Sequence, residues 1–177
     1  MRVTMLRSPT EEDWLEVKRR ALVTVGLNPK TAPDSKWKAD ILRARHSPIR
    51  YLQFAFLLED LPSWVAVHLC RHVHAQPYVR SQRNDRQNRY DRQKAPQDAP
   101  VNMIWDLNAE ELMVVANKRL CRQASEETRE AVAKCCRLAE EACPEIGPFL
   151  VPMCEHLGGN CPEMFPCGRR GGVDENR

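Results

Sequence analysis

No stretch of this chain is apolar for long enough to cross a bilayer. The best candidate, Tyr51 to Cys70, is cut by Glu59, Asp60 and Pro62, well short of the roughly 18 uninterrupted apolar residues that a membrane helix needs. The N-terminus, MRVTMLRSPTEEDW, lacks the apolar core of a secretory signal. Both absences lead to the expectation of a soluble, cytoplasmic protein, with its eight cysteines kept as thiols or metal ligands rather than disulfides. Strong net charge is missing as well: 27 basic and 24 acidic residues leave only +3, too little to dictate a polyanionic partner. With 42% hydrophobic residues among 177, one compact domain over residues 1–168 is expected, followed by a disordered tail at 169–177.

The chain is rich in helix punctuation. Ser8 and Thr10 before EEDW mark a helix start, and the apolar spacing of Trp14, Leu15, Val17, Ala21, Leu22 and Val25 carries it towards Gly26. Asp34 or Ser35 caps a second helix that ends near His46-Ser47-Pro48, because a residue before proline avoids the α region. IRYLQFAFLLE alternates and reads as a buried strand. Leu61-Pro62-Ser63 then turns the chain into a helix running through WVAVHLCRHV, with Trp64, His68 and Arg71 on one face. A short extended piece and a solvated loop are expected between Gln76 and Pro100. Asn108 caps a long helical region with a break near Ser125, and a short piece follows Pro144.

Two features compete for a functional reading. Arginines at 80, 83, 86, 89 and 92 keep a three-residue beat. On an α-helix that step drifts around the surface, whereas on a polyproline-type segment it aligns the side chains. The run therefore stays open as a solvated loop, a phosphate-binding element of a small-molecule site, or a nucleic-acid arm. Against the last stand Asp85 and Asp91 and the lack of stacking aromatics other than Tyr78 and Tyr90, so a nucleic-acid partner is not the expectation. Near the C-terminus, Cys154, His156, Cys161 and Cys167 offer enough ligands for tetrahedral zinc, but without a paired C-x-x-C knuckle. Cys70, His72 and His74 form another possible cluster, and Cys135 and Cys136 read as helix packing residues.

Arg71-His72-Val73, seven residues, then Ser81-Gln82-Arg83-Asn84 resembles the Arg-His-Arg, Ser-x-Arg-Tyr signature of flavin-dependent thymidylate synthases, also called thymidylate synthase complementing proteins. Upstream, HSPIRYLQFAF is similar to the family's His-x-Ser/Thr-Pro-x-Glu-His lead into a Phe-x-Phe strand. Downstream, NAEELMVVANKRLCRQASEETR is similar to the family's Asn-Ala-Arg-Ser-Leu helix, which runs to an arginine and on to Ala-Gln-Trp-Glu-Ile-Arg; Asn108, Ala109, Leu112, Arg119, Cys121, Ala124, Glu127 and Arg129 match. The tail CEHLGGNCPEMFPCGR resembles the ending of some bacterial members. Four ordered blocks thus span residues 46 to 168. The pattern is broken at Val73, Asn84, Tyr78, Val79, Glu110 and Val114, and the segment from Arg83 to Asn108 is short.

The resemblance implies an α+β fold, a small antiparallel sheet packed with long helices, assembled as a homotetramer with shared active sites. It implies reductive methylation of dUMP to dTMP, with FAD as cofactor and NADPH and methylenetetrahydrofolate as co-substrates. Carried over by position, Arg119 meets the pyrimidine and is the catalytic residue. His68, Ser81, Gln82 and Arg83 join it in holding the nucleotide, and Ser47, Arg71, His72 and His74 face the flavin. The alternatives are a noncatalytic or altered-substrate nucleotide-binding homologue and, behind it, a zinc-stapled nucleic-acid binder.

Overall fold

The computed structural model describes residues 1–81, 91 and 93–168. The elements follow the chain as β1 (Arg2–Arg7), α1 (Glu11–Val23), α2 (Ser35–Arg43), a 3-10 turn (Ser47–Tyr51), β2 (Gln53–Pro62), α3 (Ser63–Cys70), β3 (Gln76–Val79), β4 (Pro100–Asn108), α4 (Ala109–Arg119), α5 (Glu126–Ala142), a second 3-10 turn (Pro144–Phe149) and α6 (Met153–His156). Four strands form one antiparallel sheet in the order β1-β2-β4-β3. The fold is α+β, with α3, α4 and α5 packed on the sheet. Among the described residues no helix is long and apolar enough to cross a membrane.

Alternation decides which face of the sheet is covered. Phe54, Phe56, Leu58 and Leu61 of β2 and Val101, Met103, Trp105 and Leu107 of β4 point inward and are buried. Their neighbours Ala55, Leu57, Asn102 and Ile104 lie on the other side, half-buried or exposed, as expected of an antiparallel sheet with one solvated face. The phase survives to the end of β2 because of a bulge. Between the pairs Leu58↔Met103 and Leu61↔Val101, β2 contains one more residue than β4. Asp60 absorbs the extra residue at φ 54, a left-handed conformation that aspartate tolerates better than most residues. Asn102 accepts the Asp60 N–H at 3.3 Å, and Leu61 returns to the core.

The helix caps follow the sequence closely. Thr10 and Asp13 form a reciprocal capping box on α1. Asp34 accepts from Trp37 N on α2, Asn108 from Glu111 N on α4, and Ser125 from Thr128 N on α5. The second helix ends in a Schellman motif: His46 N–H reaches Ile41 O at 3.3 Å and Arg45 N–H reaches Leu42 O at 3.0 Å. Arg45 takes the left-handed position usually given to glycine, at φ 49. Its guanidinium is anchored at 2.7 Å on Asn117 of α4, which offsets the backbone strain and ties α2 to α4. Lys38, also buried, holds α1 to the second 3-10 turn through Glu11 at 2.5 Å and Glu145 at 3.5 Å.

Three sequence expectations need correction. β1 and β4 are strands that the residue patterns did not single out. The strand expected from Ile49 begins at Gln53, because Pro48 starts a 3-10 turn instead. The helix expected through Val73 stops at Cys70, with Arg71 as its C-cap. The zinc alternative gains no support: among the described residues no three His, Cys, Asp or Glu side chains gather as a metal site. Cys154 is buried, Cys161 is exposed and His156 lies 3.4 Å from Arg45, so Cys154, His156, Cys161 and Cys167 do not form the tetrahedral set. Cys70, His72 and His74 do not converge either, because the chain turns between them. The expected tail at 169–177, like most of the arginine beat, lies outside the described residues.

Phe56 sits in the central strand with no solvent exposure. Phe56→Ala is expected to cost about 3–5 kcal/mol, measured as the loss of unfolding free energy in a urea titration with unchanged slope.

Candidate functional site

α3 delivers the site. Its last turn closes at Arg71, and two backbone bonds, His72 N–H to Leu69 O and Ala75 N–H to His72 O, fold the next residues back against α4. The His72 ring enters between the two ends of α4. Its Nε2 accepts the Arg119 Nε–H at 2.9 Å, and its Nδ1 lies 3.3 Å from a Glu111 carboxylate oxygen. Glu111, Val115 and Arg119 are four residues apart on one helix face, so the imidazole bridges side chains whose backbone positions are about 12 Å apart along the helix axis. Trp105 closes the ring from the sheet side in an edge contact, 6.3 Å between centroids.

This geometry fixes the proton. Arg119 can only donate, so Nε2 must be the acceptor and Nδ1 carries the hydrogen, with a Glu111 carboxylate oxygen 3.3 Å from that nitrogen. Burial and then the Arg119 charge lower the His72 pKa to about 4. The ring is therefore neutral near pH 7. Burial also pushes the Glu111 carboxyl up, and burial followed by the nearby Arg71 pulls Arg119 down.

Arg119 makes one further bond, from a terminal nitrogen to the His68 backbone oxygen at 3.0 Å. Both its acceptors are neutral. Arg71, exposed at the C-cap of α3, lies close enough to repel it. Among the described residues neither guanidinium bonds a carboxylate. The ends of α3 and α4 are where helix dipoles favour cations, and they hold two arginines whose charge remains open to an incoming anion.

The other expected residues are more scattered. The His68 ring turns to Thr128 Oγ1 at 3.3 Å and packs edge-on against Trp64, so its carbonyl rather than its imidazole faces Arg119. Ser81 follows β3 and is half-buried; Gln82 and Arg83 lie outside the described residues. Ser47 is exposed and opens, with His46, Trp37 and Ile41, onto a cavity of about 530 Å3 between α1 and α2. His74 lines a different cavity, of about 330 Å3, at the start of α4 with Arg50, Asn108, Glu110, Glu111 and Val114.

Two residues of this region escaped the sequence reading. Glu111 stands in the first turn of α4, yet it is only 5% exposed; the available signal was its place on the same helix face as Val115 and Arg119. Arg50 forms an ion pair with Glu110. In the resembled motifs glutamate stands at the position of Arg50 and arginine at that of Glu110, so both signs are exchanged here.

Because folded His72 resists protonation, acid should destabilise the protein through it. Between about pH 6.5 and pH 4 the unfolded chain binds a proton that the folded chain refuses, so this contribution is present above 6.5 and lost as pH falls. The raised Glu111 carboxyl acts in the opposite sense, since its folded form keeps a proton that the unfolded chain releases. His72→Gln removes only the first contribution. Over that interval the wild type is expected to lose up to about 3 kcal/mol more stability than the variant, checked by urea unfolding at each pH.

The family model for the thymidylate synthase complementing protein matches residues 90–145, which include β4, α4 and α5. A search of the curated proteins finds no match. Solved structures do match in fold. Thymidylate synthase X (ThyX) from Helicobacter pylori, solved with FAD and dUMP, superposes with a TM-score of 0.64 at 15% identity, covering 87% of this chain and 99% of that one. The UMP/dUMP methylase PolB from Streptomyces cacaoi, bound with 5-Br dUMP, gives 0.66 at 13% identity over 84% and 93% of the two chains. The chain therefore has the fold of the flavin-dependent thymidylate synthases, and its stretch from β4 to α5 carries the sequence pattern of the thymidylate synthase complementing protein family.

Proposed function

We propose that this chain binds dUMP, or a closely similar pyrimidine nucleotide, through Arg71 and Arg119, and that it serves the reductive methylation of dUMP to dTMP within an assembly of its own copies. The observation that carries this reading is the pair of adjacent arginines at the ends of α3 and α4, with neutral hydrogen-bond partners and no bonded carboxylate among the described residues. A guanidinium presents a planar fork of donors that suits phosphate oxygens and pyrimidine carbonyls alike. Arg119 has two of its N–H groups committed to His72 and His68, which leaves three of the five for a ligand. The H. pylori and S. cacaoi proteins of the same fold were solved with dUMP and a bromo-dUMP, which supports this ligand class.

Neither cavity beside the residues assigned to flavin suits FAD in a single copy of the chain. Ser47 and His74 open onto separate cavities. The cavity beside His74, about 330 Å3, is at the small end for any ligand site. Its wall contains Glu110 and the buried Glu111, which oppose a diphosphate, while Arg50 is already committed to Glu110. His72 faces inward. Flavin, NADPH and methylenetetrahydrofolate are accordingly assigned to a homotetramer in which copies complete one another's sites. Val73, 80% exposed where the signature has arginine, favours the second reading, a nucleotide-binding homologue without catalysis.

Calorimetry with dUMP tests the first step. Arg119→Ala is expected to weaken binding about 10- to 100-fold, the size of lost charge-assisted hydrogen bonds, and undiminished affinity would exclude the reading. Incubation with FAD, monitored at the flavin bands together with dTMP formation and light scattering, separates the two forms. A flavin-loaded tetramer that makes dTMP is the active synthase; a colourless protein that binds dUMP and makes none is the noncatalytic homologue.

A further inference from the structure

Arg119 can donate its Nε–H to His72 only while Nε2 carries no proton. The ring's single hydrogen must then sit on Nδ1, and the acceptor waiting for it is Glu111, 3.3 Å away. Glu111 makes no contact with Arg119 or with the open edge of that guanidinium. We propose that Glu111 is a positioning residue for the arginine site: it holds His72 in the Nδ1–H tautomer, and His72 in turn orients Arg119 towards the nucleotide. The proposal rests on the reading that Arg119 binds the nucleotide.

Several observations support a positioning role. The Glu111 carboxyl is nearly fully buried, a costly placement for an acid unless its oxygens are engaged. Its backbone N–H is already held by the Asn108 cap at 2.9 Å, so the residue is fixed at the third position of α4, where the helix dipole favours a negative charge. The side chain in that position commonly folds back onto the capping residue's own N–H. Here it turns to the imidazole instead, while the Asn-Ala-Arg-Ser-Leu motif that this stretch resembles carries serine at the same place. The neighbouring acid, Glu110, points away to Arg50 and supplies an internal comparison.

The test uses the full chain with 15N-labelled histidine and arginine, observed by NMR alongside dUMP calorimetry. In the wild type, His72 is expected as the neutral Nδ1–H tautomer and the Arg119 Nε–H as a protected resonance. Glu111→Leu removes the acceptor while keeping similar bulk, an exchange that buried acids often tolerate without loss of stability. It should shift His72 towards the Nε2–H form, expose the Arg119 Nε–H to exchange and weaken dUMP binding about tenfold. Glu111→Gln, whose amide oxygen can accept the same hydrogen, should restore most of the wild-type tautomer and affinity, and Glu110→Gln should change neither. A folded Glu111→Leu protein with the wild-type tautomer and dUMP affinity overturns the inference, even if it melts earlier. A wild type that binds no dUMP overturns the nucleotide reading and this inference with it, whereas dUMP binding that fails only with Arg119→Ala and not with Glu111→Leu overturns the inference alone.

Discussion

The pairing of β2 with β4 is the constraint on which the rest of the molecule depends. Each strand passes directly into a helix, β2 into α3 at Pro62–Ser63 and β4 into α4 at Asn108–Ala109. Because the strands are antiparallel neighbours, these helices start at opposite ends of the sheet and run past one another. The chain leaving α3 thereby passes beside α4, and one imidazole can touch both the third residue of α4 and its last. A slip of one residue in the register would send Trp105 to the solvated face and remove the wall against which His72 rests. The bulge at Asp60 protects that register at the far end of the pair.

What could be read in advance was what is local. Caps at Thr10, Asp34, Asn108 and Ser125 are short-range hydrogen bonds between a side chain and a backbone N–H three residues on, so residue type and spacing suffice to find them. The alternation of Phe54, Phe56 and Leu58 was visible for the same reason. β1 and β4 were not: β1 is an edge strand of six residues, and the alternation of Val101, Met103, Trp105 and Leu107 lies between a polar loop and a strong helix start. The site divides in the same way. Arg71, His72 and Arg119 came from ordered blocks along the chain, but the ion pair of Arg50 with Glu110 joins residues 60 apart, and the importance of Glu111 is a matter of burial, which neighbouring residues do not disclose.

Burial also explains why the imidazole beneath the arginines is neutral. A protonated His72 would be a third positive charge beside Arg119 and Arg71, in a place where water cannot screen it well. Its depressed pKa keeps the ring an acceptor, and an acceptor is what a guanidinium needs. Had an acid met Arg119 directly, its charge would have been cancelled inside the protein. Placing a neutral ring between Glu111 and Arg119 lets the carboxylate fix geometry while the guanidinium stays available to an external anion.

The same separation gives α4 a charge order along its axis. Glu110 and Glu111 occupy its first turn, and Lys118 and Arg119 its last, each matched to the helix dipole at its own end. The exchanged signs of Arg50 and Glu110 leave the charge of that exposed pair unchanged in sum, and such a solvent-screened pair contributes little to stability. Glu111 is the residue that makes the 330 Å3 cavity acidic, with the neutral Asn108 and Val114 beside it. An anionic ligand approaching one copy of this chain is therefore repelled from the start of α4 and drawn to its end, where Arg71 and Arg119 stand together. This electrostatic preference supports the proposal that a nucleotide, rather than a dinucleotide cofactor, uses the surface that a single copy provides.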